Sequence, residues 1–191
     1  MSQSPVSIVL RGSAEVRDER PNPYAARVKT TVRYADPMAW ALVLAIGEAT
    51  EPLGEDFRAA ANRCSLIQVG PRGPTESMAQ VASEALRGFA SPVRFPSATP
   101  SAPAGLACIV HGLRGPTLAL TMPVPEAAEL ALTLSTAWLA RGVVDYALIA
   151  ATLPIPGAPP HAGCVVLARG TGPGVEPRLL ARTLLPGAAF P

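Results

Sequence analysis

Apolar positions follow two different periods along this chain. Short β-branched or apolar runs bounded by glycine or proline predict strands at 6–10, 65–69, 117–121, 143–150 and 164–168. Apolar residues at helical spacing predict helices at 36–50, 75–89, 104–111 and 126–140, with a short helical or strand-like piece at 178–185. Because strands and helices alternate, we predict an α/β fold with five strands in a three-layer αβα unit.

Two of these helices carry clear start signals. Asp36 can cap the first, with Pro37 at the first helical position. The same helix has no polar face over 38–46, so we expect it to be buried on both sides. Pro125 suits the first turn of the helix at 126–140, and Glu126 there complements the dipole of the helix N-terminus.

Composition is that of one globular domain. The chain has 191 residues, 49% hydrophobic and 16% charged, which is enough for a sizeable core over 1–191. A net charge of +2 is too balanced to favour nucleic acid as a partner. Residues 1–35 form a basic N-terminal strand and loop, and 170–191 form a C-terminal tail. The charged segment 12–34 is either a solvated hairpin or loop, or a basic patch for an acidic partner.

Neither a metal, a cofactor nor a membrane is expected. Cys64, Cys108 and Cys164 are far apart and form no C-x-x-C pair, which indicates reduced, buried thiols in a cytoplasmic protein. The segment 70–74 lacks the phosphate-loop pattern, and its prolines remove amide donors. The N-terminus has no signal-peptide pattern, and the longest apolar run, 38–46, is too short to cross a bilayer.

The stretch 94–150 carries an ordered set of motifs. It reads FPSATPSAPAG at 95–105, an apolar helix, GLRGPT at 112–117, an apolar strand, a turn, a long helix, and GVVDYALI at 142–149. This order resembles the first half of a β-ketoacyl synthase, a condensing enzyme of the thiolase fold. The resemblance extends over roughly 36–168, and GCVVLAR at 163–169 resembles the strand that closes the first half. It therefore implies a single thiolase-like half with a mixed five-stranded sheet.

The resemblance also identifies what is missing. In that family a cysteine at a strand-to-helix turn takes the acyl chain, and two histidines from the second half promote decarboxylation. Counting from Gly115, Val124 falls approximately at the position of the nucleophile. Valine cannot form a thioester, and the second half has no counterpart in this sequence. We therefore expect no condensing activity and no catalytic residue of the family type.

A vestigial pocket is the other expectation from the resemblance. Glu126 resembles the acidic substitutions of decarboxylating relatives, and Met122 lies in the same turn as Val124. Cys108 is either a small core thiol or a pocket residue. His111 either faces the former active site or has a structural role at a helix end, and we expect His161, in a proline-rich loop, to be solvated.

Two functions follow from these expectations. The first is a non-catalytic protein of polyketide or fatty-acid-like biosynthesis that acts as a partner or scaffold, with itself, with a ketosynthase or with an acyl carrier protein. Chain-length factors are a precedent, because they lack the cysteine and work as partners. The second is an enzyme with a repurposed acyl pocket that catalyses cyclisation, hydrolysis or isomerisation.

The resemblance predicts how such a partner would associate. In thiolase-fold dimers the strand after the Gly-Pro-Thr motif pairs antiparallel with its twin. The matching strand is Thr117, Leu118, Ala119, Leu120 and Thr121, which carries no charge, no proline and no bulge signal. We also expect exposed apolar faces on the helices at 38–46 and 126–140, because the second half that would cover them is missing.

Overall fold

The computed structural model describes residues 7–17, 20–28, 32, 34–89, 91–155 and 157–186. The strands are β1 (Ser7–Val16), β2 (Cys64–Gly70), β3 (Thr117–Thr121), β4 (Tyr146–Leu153) and β5 (His161–Gly170). The α-helices are α1 (Pro37–Thr50), α2 (Gly54–Ala59), α3 (Thr75–Leu86), α4 (Ala102–His111), α5 (Val124–Ala140) and α6 (Pro177–Leu184). Short 3-10 turns cover Ala25–Arg27, Glu51–Leu53, Ala61–Arg63 and Phe95–Ala98.

The strands form one five-stranded sheet in the order β1-β5-β4-β2-β3. β2 pairs in parallel with β3 and β4, whereas β5 pairs antiparallel with β4 and β1. The sheet is therefore mixed, and β1 and β3 are its edges. The inner strands are almost continuously apolar and buried, as expected when helices cover both faces.

Two apolar clusters, one on each face, make the fold a three-layer α/β unit. On one face α1 and α4 pack over Leu66, Leu148 and Val166. On the other, α5 and α6 pack over Ile67, Ile149 and Val165. The alternation of neighbouring residues between the two clusters follows from the period of two in a strand. The predicted fold class, three layers with a mixed five-stranded sheet, is confirmed.

The N-terminal strand is longer than predicted. We expected it to end near Gly12, with a loop over 12–34, but β1 continues to Val16. The register of β1 against β5 shifts between Leu10 and Gly12. A Cβ atom at Gly12 would overlap the carbonyl oxygen of Ala49 in α1. Gly12 thus marks a bulge where the helix approaches the strand, not the end of the strand. Within 12–34, residues 18, 19, 29–31 and 33 lie outside the described part of the chain.

Helix α1 is enclosed, which corrects the expectation that it would expose an apolar face. It packs against β1 and β5 on one side and against α4 on the other. Met38, Leu42, Val43 and Ile46 are all buried. The predicted burial on both sides is therefore confirmed for these residues, while Trp40 and Ala41 stay partly exposed.

Helix α3 is shorter than predicted, and its apolar side chains are exposed. The amphipathic helix was predicted over 75–89, but it ends at Leu86. Leu86 is 91% exposed and Phe89 is 62% exposed. The reason is position, because α3 packs on the 3-10 turn at Phe95–Ala98 rather than on the sheet.

Asp36 connects the N-termini of α1 and α3. One carboxylate oxygen accepts a hydrogen bond from the Met38 amide at 2.9 Å, and the other accepts one from the Ser77 amide at 2.8 Å. The predicted cap is thus confirmed for α1, and the same buried carboxylate also satisfies a free amide at the start of α3. The sequence pattern did not indicate this second contact.

Gly163 is a close-packing position that can be tested. A Cβ atom there would overlap the carbonyl oxygen of Leu184, the last residue of α6. The added methyl group would displace the backbone of α6, which cannot rotate away as a flexible side chain can. Gly163→Ala should therefore lower the free energy of unfolding, measured by urea titration, by about 2 kcal/mol or more.

The matched control is Gly105→Ala in α4, where a Cβ atom would meet no atom within 4 Å. This change should leave stability unchanged or raise it by about 0.5–1 kcal/mol, because glycine is unfavourable inside a helix. Equal effects of the two substitutions would contradict the packing of α6 against β5.

Candidate functional site

The turn between β3 and α5 has the geometry expected for the nucleophile position. β3 ends at Thr121, and Val124 is the first residue of α5, after Pro123 at the N-cap. Val124 is 2% exposed and packs in the α5–α6 cluster. The side chains of the turn offer no thiol. Whether Val124 is the aligned position of a nucleophile stays a prediction.

The predicted pocket residues lie on both faces of the sheet. Val124 is buried in the α5–α6 cluster and Met122 packs against it, while Glu126 is exposed. Cys108 packs with the α1–α4 cluster on the opposite face. The structure therefore brings Met122 and Val124 together but does not gather the whole set into one pocket.

His111 has a structural contact of its own at the C-terminal end of α4. Its Nε2 lies 2.9 Å from the Val43 carbonyl oxygen, and its ring meets the Tyr24 ring edge-on at 5.0 Å. Burial lowers the pKa of His111, so the imidazole is neutral at pH 7. Tyr24 and His111 line a 370 Å³ cavity together with Arg27 and Thr50. Of the two alternatives for His111, the structure favours the structural role.

None of the cysteines is in an activating environment. All three thiols are free, with Cys64 in β2, Cys108 in α4 and Cys164 in β5. Burial raises the pKa of Cys64 to about 12, and it also raises the pKa of Cys164. Burial raises the pKa of Cys108 too, partly offset by a contact with the Thr117 hydroxyl at 3.4 Å. A thiol with a raised pKa holds less thiolate, the nucleophilic form, at neutral pH.

His161 corrects a prediction that depended on its proline-rich surroundings. It was expected to be solvated, but it is 4% exposed, at the first position of β5. Its Nε2 lies 2.5 Å from a carboxylate oxygen of Glu15 in β1, and Arg17 contacts the same carboxylate. The extended β1 brings Glu15 to this position, so the missed strand extension is also why the contact between Glu15 and His161 was missed.

β3 is an edge strand of the sheet, with β2 as its one neighbour there. The Leu66 amide donates to the Pro116 carbonyl, and β2 and β3 run in parallel. In a parallel ladder alternate residues bond to the same neighbour, so the amides of Thr117, Ala119 and Thr121 point away from β2. Leu118 is 36% exposed on the α5 side of this edge. Neither charge nor proline lies within the strand to discourage pairing.

A second exposed apolar surface lies on the α4 side, where α3 connects to α4. We call it the α3–α4 patch, defined by the exposed side chains Leu86, Phe89, Val93, Phe95 and Ile109. Arg94 attaches the connecting loop to α3 through Glu84 at 3.3 Å. Val93 and Ile109 line one groove, and clustered exposed apolar side chains typically mark an interaction surface.

Within the described ranges, no group of three or more His, Cys, Asp or Glu side chains is placed to hold a metal ion. Nor does any helix in those ranges have the length and apolar character needed to span a membrane.

No protein-family model matches the sequence, and no curated protein matches it. Solved structures do match. The "AntDE:AntF (apo): type II PKS acyl-carrier protein in complex with its ketosynthase bound to the hexaketide" has a TM-score of 0.67 at 14% identity, over 86% of this chain and 62% of that one. "The ishigamide ketosynthase/chain length factor" has a TM-score of 0.61 at 13% identity, over 85% of this chain and 62% of that one.

A third match is the "Ketosynthase (ApeO) in Complex with its Chain Length Factor (ApeC) from Xenorhabdus doucetiae", with a TM-score of 0.60 and 13% identity over 87% of this chain and 81% of that chain. The protein spans about 60% of the length of the other two matched chains. At these identities the likeness concerns the fold. The resemblance inferred from the sequence is therefore confirmed at that level, since this chain has a fold shared with the chains of ketosynthase complexes.

Proposed function

We propose that the protein is a non-catalytic, ketosynthase-like partner subunit in polyketide or fatty-acid-like biosynthesis. One observation carries the proposal. In this ketosynthase-like fold, β3 is an uncharged edge strand, with exposed apolar side chains on the α5 face of the sheet and on the α4 face. The unpaired amides and carbonyls of such an edge promote aggregation of a lone chain, but they can bond to the strand of a specific partner. The setting we infer is cytoplasmic, and the unit we infer is one domain over 1–191.

The matched complexes support a partner role. One is a ketosynthase with its chain length factor, and another is a ketosynthase with an acyl-carrier protein. The matched chain of the ApeO–ApeC complex is close in length to this one, since each covers more than four-fifths of the other. We infer a second copy or a ketosynthase subunit as the direct partner, and an acyl carrier protein as a further one.

The thiols support a non-catalytic role. The helix N-terminus that would favour a thiolate begins with Val124, and the thiols present lie elsewhere under conditions that raise their pKa. The alternative of a repurposed acyl pocket would need the predicted residues to converge, and they lie on opposite faces of the sheet. We therefore favour binding over catalysis.

The strand edge gives the first test of this proposal. Ala119→Pro removes the amide at the middle of the outward-facing edge, while the bonds of β3 to β2 come from Leu118 and Leu120. The folded chain should persist by circular dichroism, and the assembly measured by sedimentation should fall to the mass of its separate chains.

The control is Ala119→Val, which keeps the amide and suits an edge strand. It should assemble like the original protein. An unchanged assembly size for Ala119→Pro would rule out pairing at β3 and leave the α3–α4 patch as the surface that binds a partner.

The thiols give a second test, through pH. A thiol with a raised pKa stays neutral until the pH approaches that pKa. At pH 7, iodoacetamide should therefore label each of the three cysteines of the native protein more slowly than it labels glutathione. The rate should rise with pH above 9, first at half-buried Cys108.

Denaturation in urea is the control, since it should make all three cysteines equally reactive. Rapid stoichiometric labelling of native Cys108 at pH 7 would overturn the non-catalytic assignment.

A further inference from the structure

We propose that a cavity beside α1 binds a small arylcarboxylate, a molecule with one aromatic ring and one carboxylate group. The cavity has a volume of about 360 Å³, which is within the range of small-molecule sites, about 300–1,000 Å³. The inference is independent of the proposed function, because none of the described residues that line the cavity belongs to β3 or to the α3–α4 patch. Its basis is a partly exposed tryptophan, a wall of prolines and a set of polar side chains that offer donors.

The cavity lies outside the carboxyl ends of two strands. β1 and β4 both pair antiparallel with β5, so they run in the same direction and end at the same edge of the sheet. Val16, the last residue of β1, lines the cavity, and so do Pro159 and Pro160 in the loop from β4 to β5. In open α/β sheets this edge is where ligands usually bind. The proline rings fix backbone φ angles in the loop, so this wall needs little ordering when a ligand binds.

One stripe of α1 forms the opposite, apolar wall. Pro37, Trp40 and Leu44 line the cavity at intervals of three and four residues, and Ala41 lies beside Trp40. Leu44 is buried, whereas Trp40 and Ala41 are partly exposed. An indole that is not fully covered offers a surface for an aromatic ring, in an offset-stacked or an edge-to-face arrangement. The shape and the apolar walls therefore suit a ring rather than a flexible polar molecule.

The polar side chains of the cavity offer hydrogen-bond donors. The Asn22 amide donates one N–H to the Trp40 carbonyl oxygen at 3.1 Å, and its own oxygen accepts from the Tyr24 amide at 2.9 Å. Its second N–H and the indole N–H of Trp40 donate to no described residue. Arg20 adds positive charge, and Glu48 holds its guanidinium at 2.9 Å. These groups suit an acceptor with negative charge, which a carboxylate provides.

Ring and carboxylate are both needed to match the cavity. A ring alone would exclude water from the donors without pairing them, which costs free energy. A carboxylate alone would leave the face of Trp40 in contact with water. Because Glu48 already offsets the charge of Arg20, one negative charge matches the cavity better than the double charge of a phosphate ester.

The test uses the full chain labelled with fluorotryptophan, because its two tryptophans should give two fluorine NMR signals. Trp40 lines the cavity, whereas Trp138 packs against the α5–α6 cluster on the opposite face and is the internal control. Phenylacetate should shift the Trp40 signal saturably, with a dissociation constant of about 1 mM or tighter for a ligand of this size. The Trp138 signal should stay in place, and Trp138→Phe assigns the two signals.

Arg20→Gln should weaken phenylacetate binding about tenfold, because it removes the positive charge beside the carboxylate. It should leave the weaker binding of phenylacetamide, which has the ring but no charge, unchanged. The matched control is Arg58→Gln, since Arg58 is also paired with a glutamate, Glu55, but does not line this cavity. Ala41→Leu places a larger side chain in the cavity and should abolish the shift while the circular dichroism spectrum stays the same.

Acetate, which lacks the ring, should leave both signals in place. A Trp40 signal that does not move with phenylacetate, or that moves together with the Trp138 signal, would overturn the site. Equal affinities for phenylacetate and phenylacetamide, or an Arg20→Gln variant that binds phenylacetate as the original chain does, would overturn the assignment of a carboxylate ligand.

Discussion

Helix α1 must be covered on every side, and the architecture on its face of the sheet depends on that requirement. The helix has an almost wholly apolar surface, so its folding is favourable only when the sheet and α4 both pack against it. Gly12 allows the Ala49 carbonyl to approach β1, and the buried Asp36 carboxylate attaches the start of α1 to α3. Because the aliphatic side chains of α1 are enclosed, the partner surface that we propose lies elsewhere.

The partner surface that we propose lies along β3 and its neighbouring side chains. The sheet order leaves β3 with one neighbour, while Leu118 and Leu130 on one side and the α3–α4 patch on the other stay exposed. A lone globular domain would normally place charge or proline along such an edge. The β3–α5 turn has no thiol, and the strand beside it has an unpaired edge. Both features are consistent with a chain that binds a partner and does not catalyse a reaction.

The order of elements could be predicted from the sequence because it depends on local periodicity. Strands and helices were found at nearly all their positions, and the cap at Asp36 was read from two adjacent residues. The failures all involve distant contacts. Gly12 looked like the end of a strand because its neighbour in α1 is remote in sequence, and His161 looked solvated because Glu15 reaches it only across the sheet. The α3 stripe had the right period but no surface to cover it, which periodicity cannot indicate.

The central claim, that β3 is covered by a partner strand, is tested most directly by hydrogen exchange at the amides of Thr117, Ala119 and Thr121. These are the β3 amides that point away from β2. With the purified chain, alone and mixed with a ketosynthase, the account predicts slow exchange at high concentration that becomes fast on dilution, while the Leu118 and Leu120 amides stay protected throughout. Fast exchange of the outward amides at every concentration, in both samples, would contradict it.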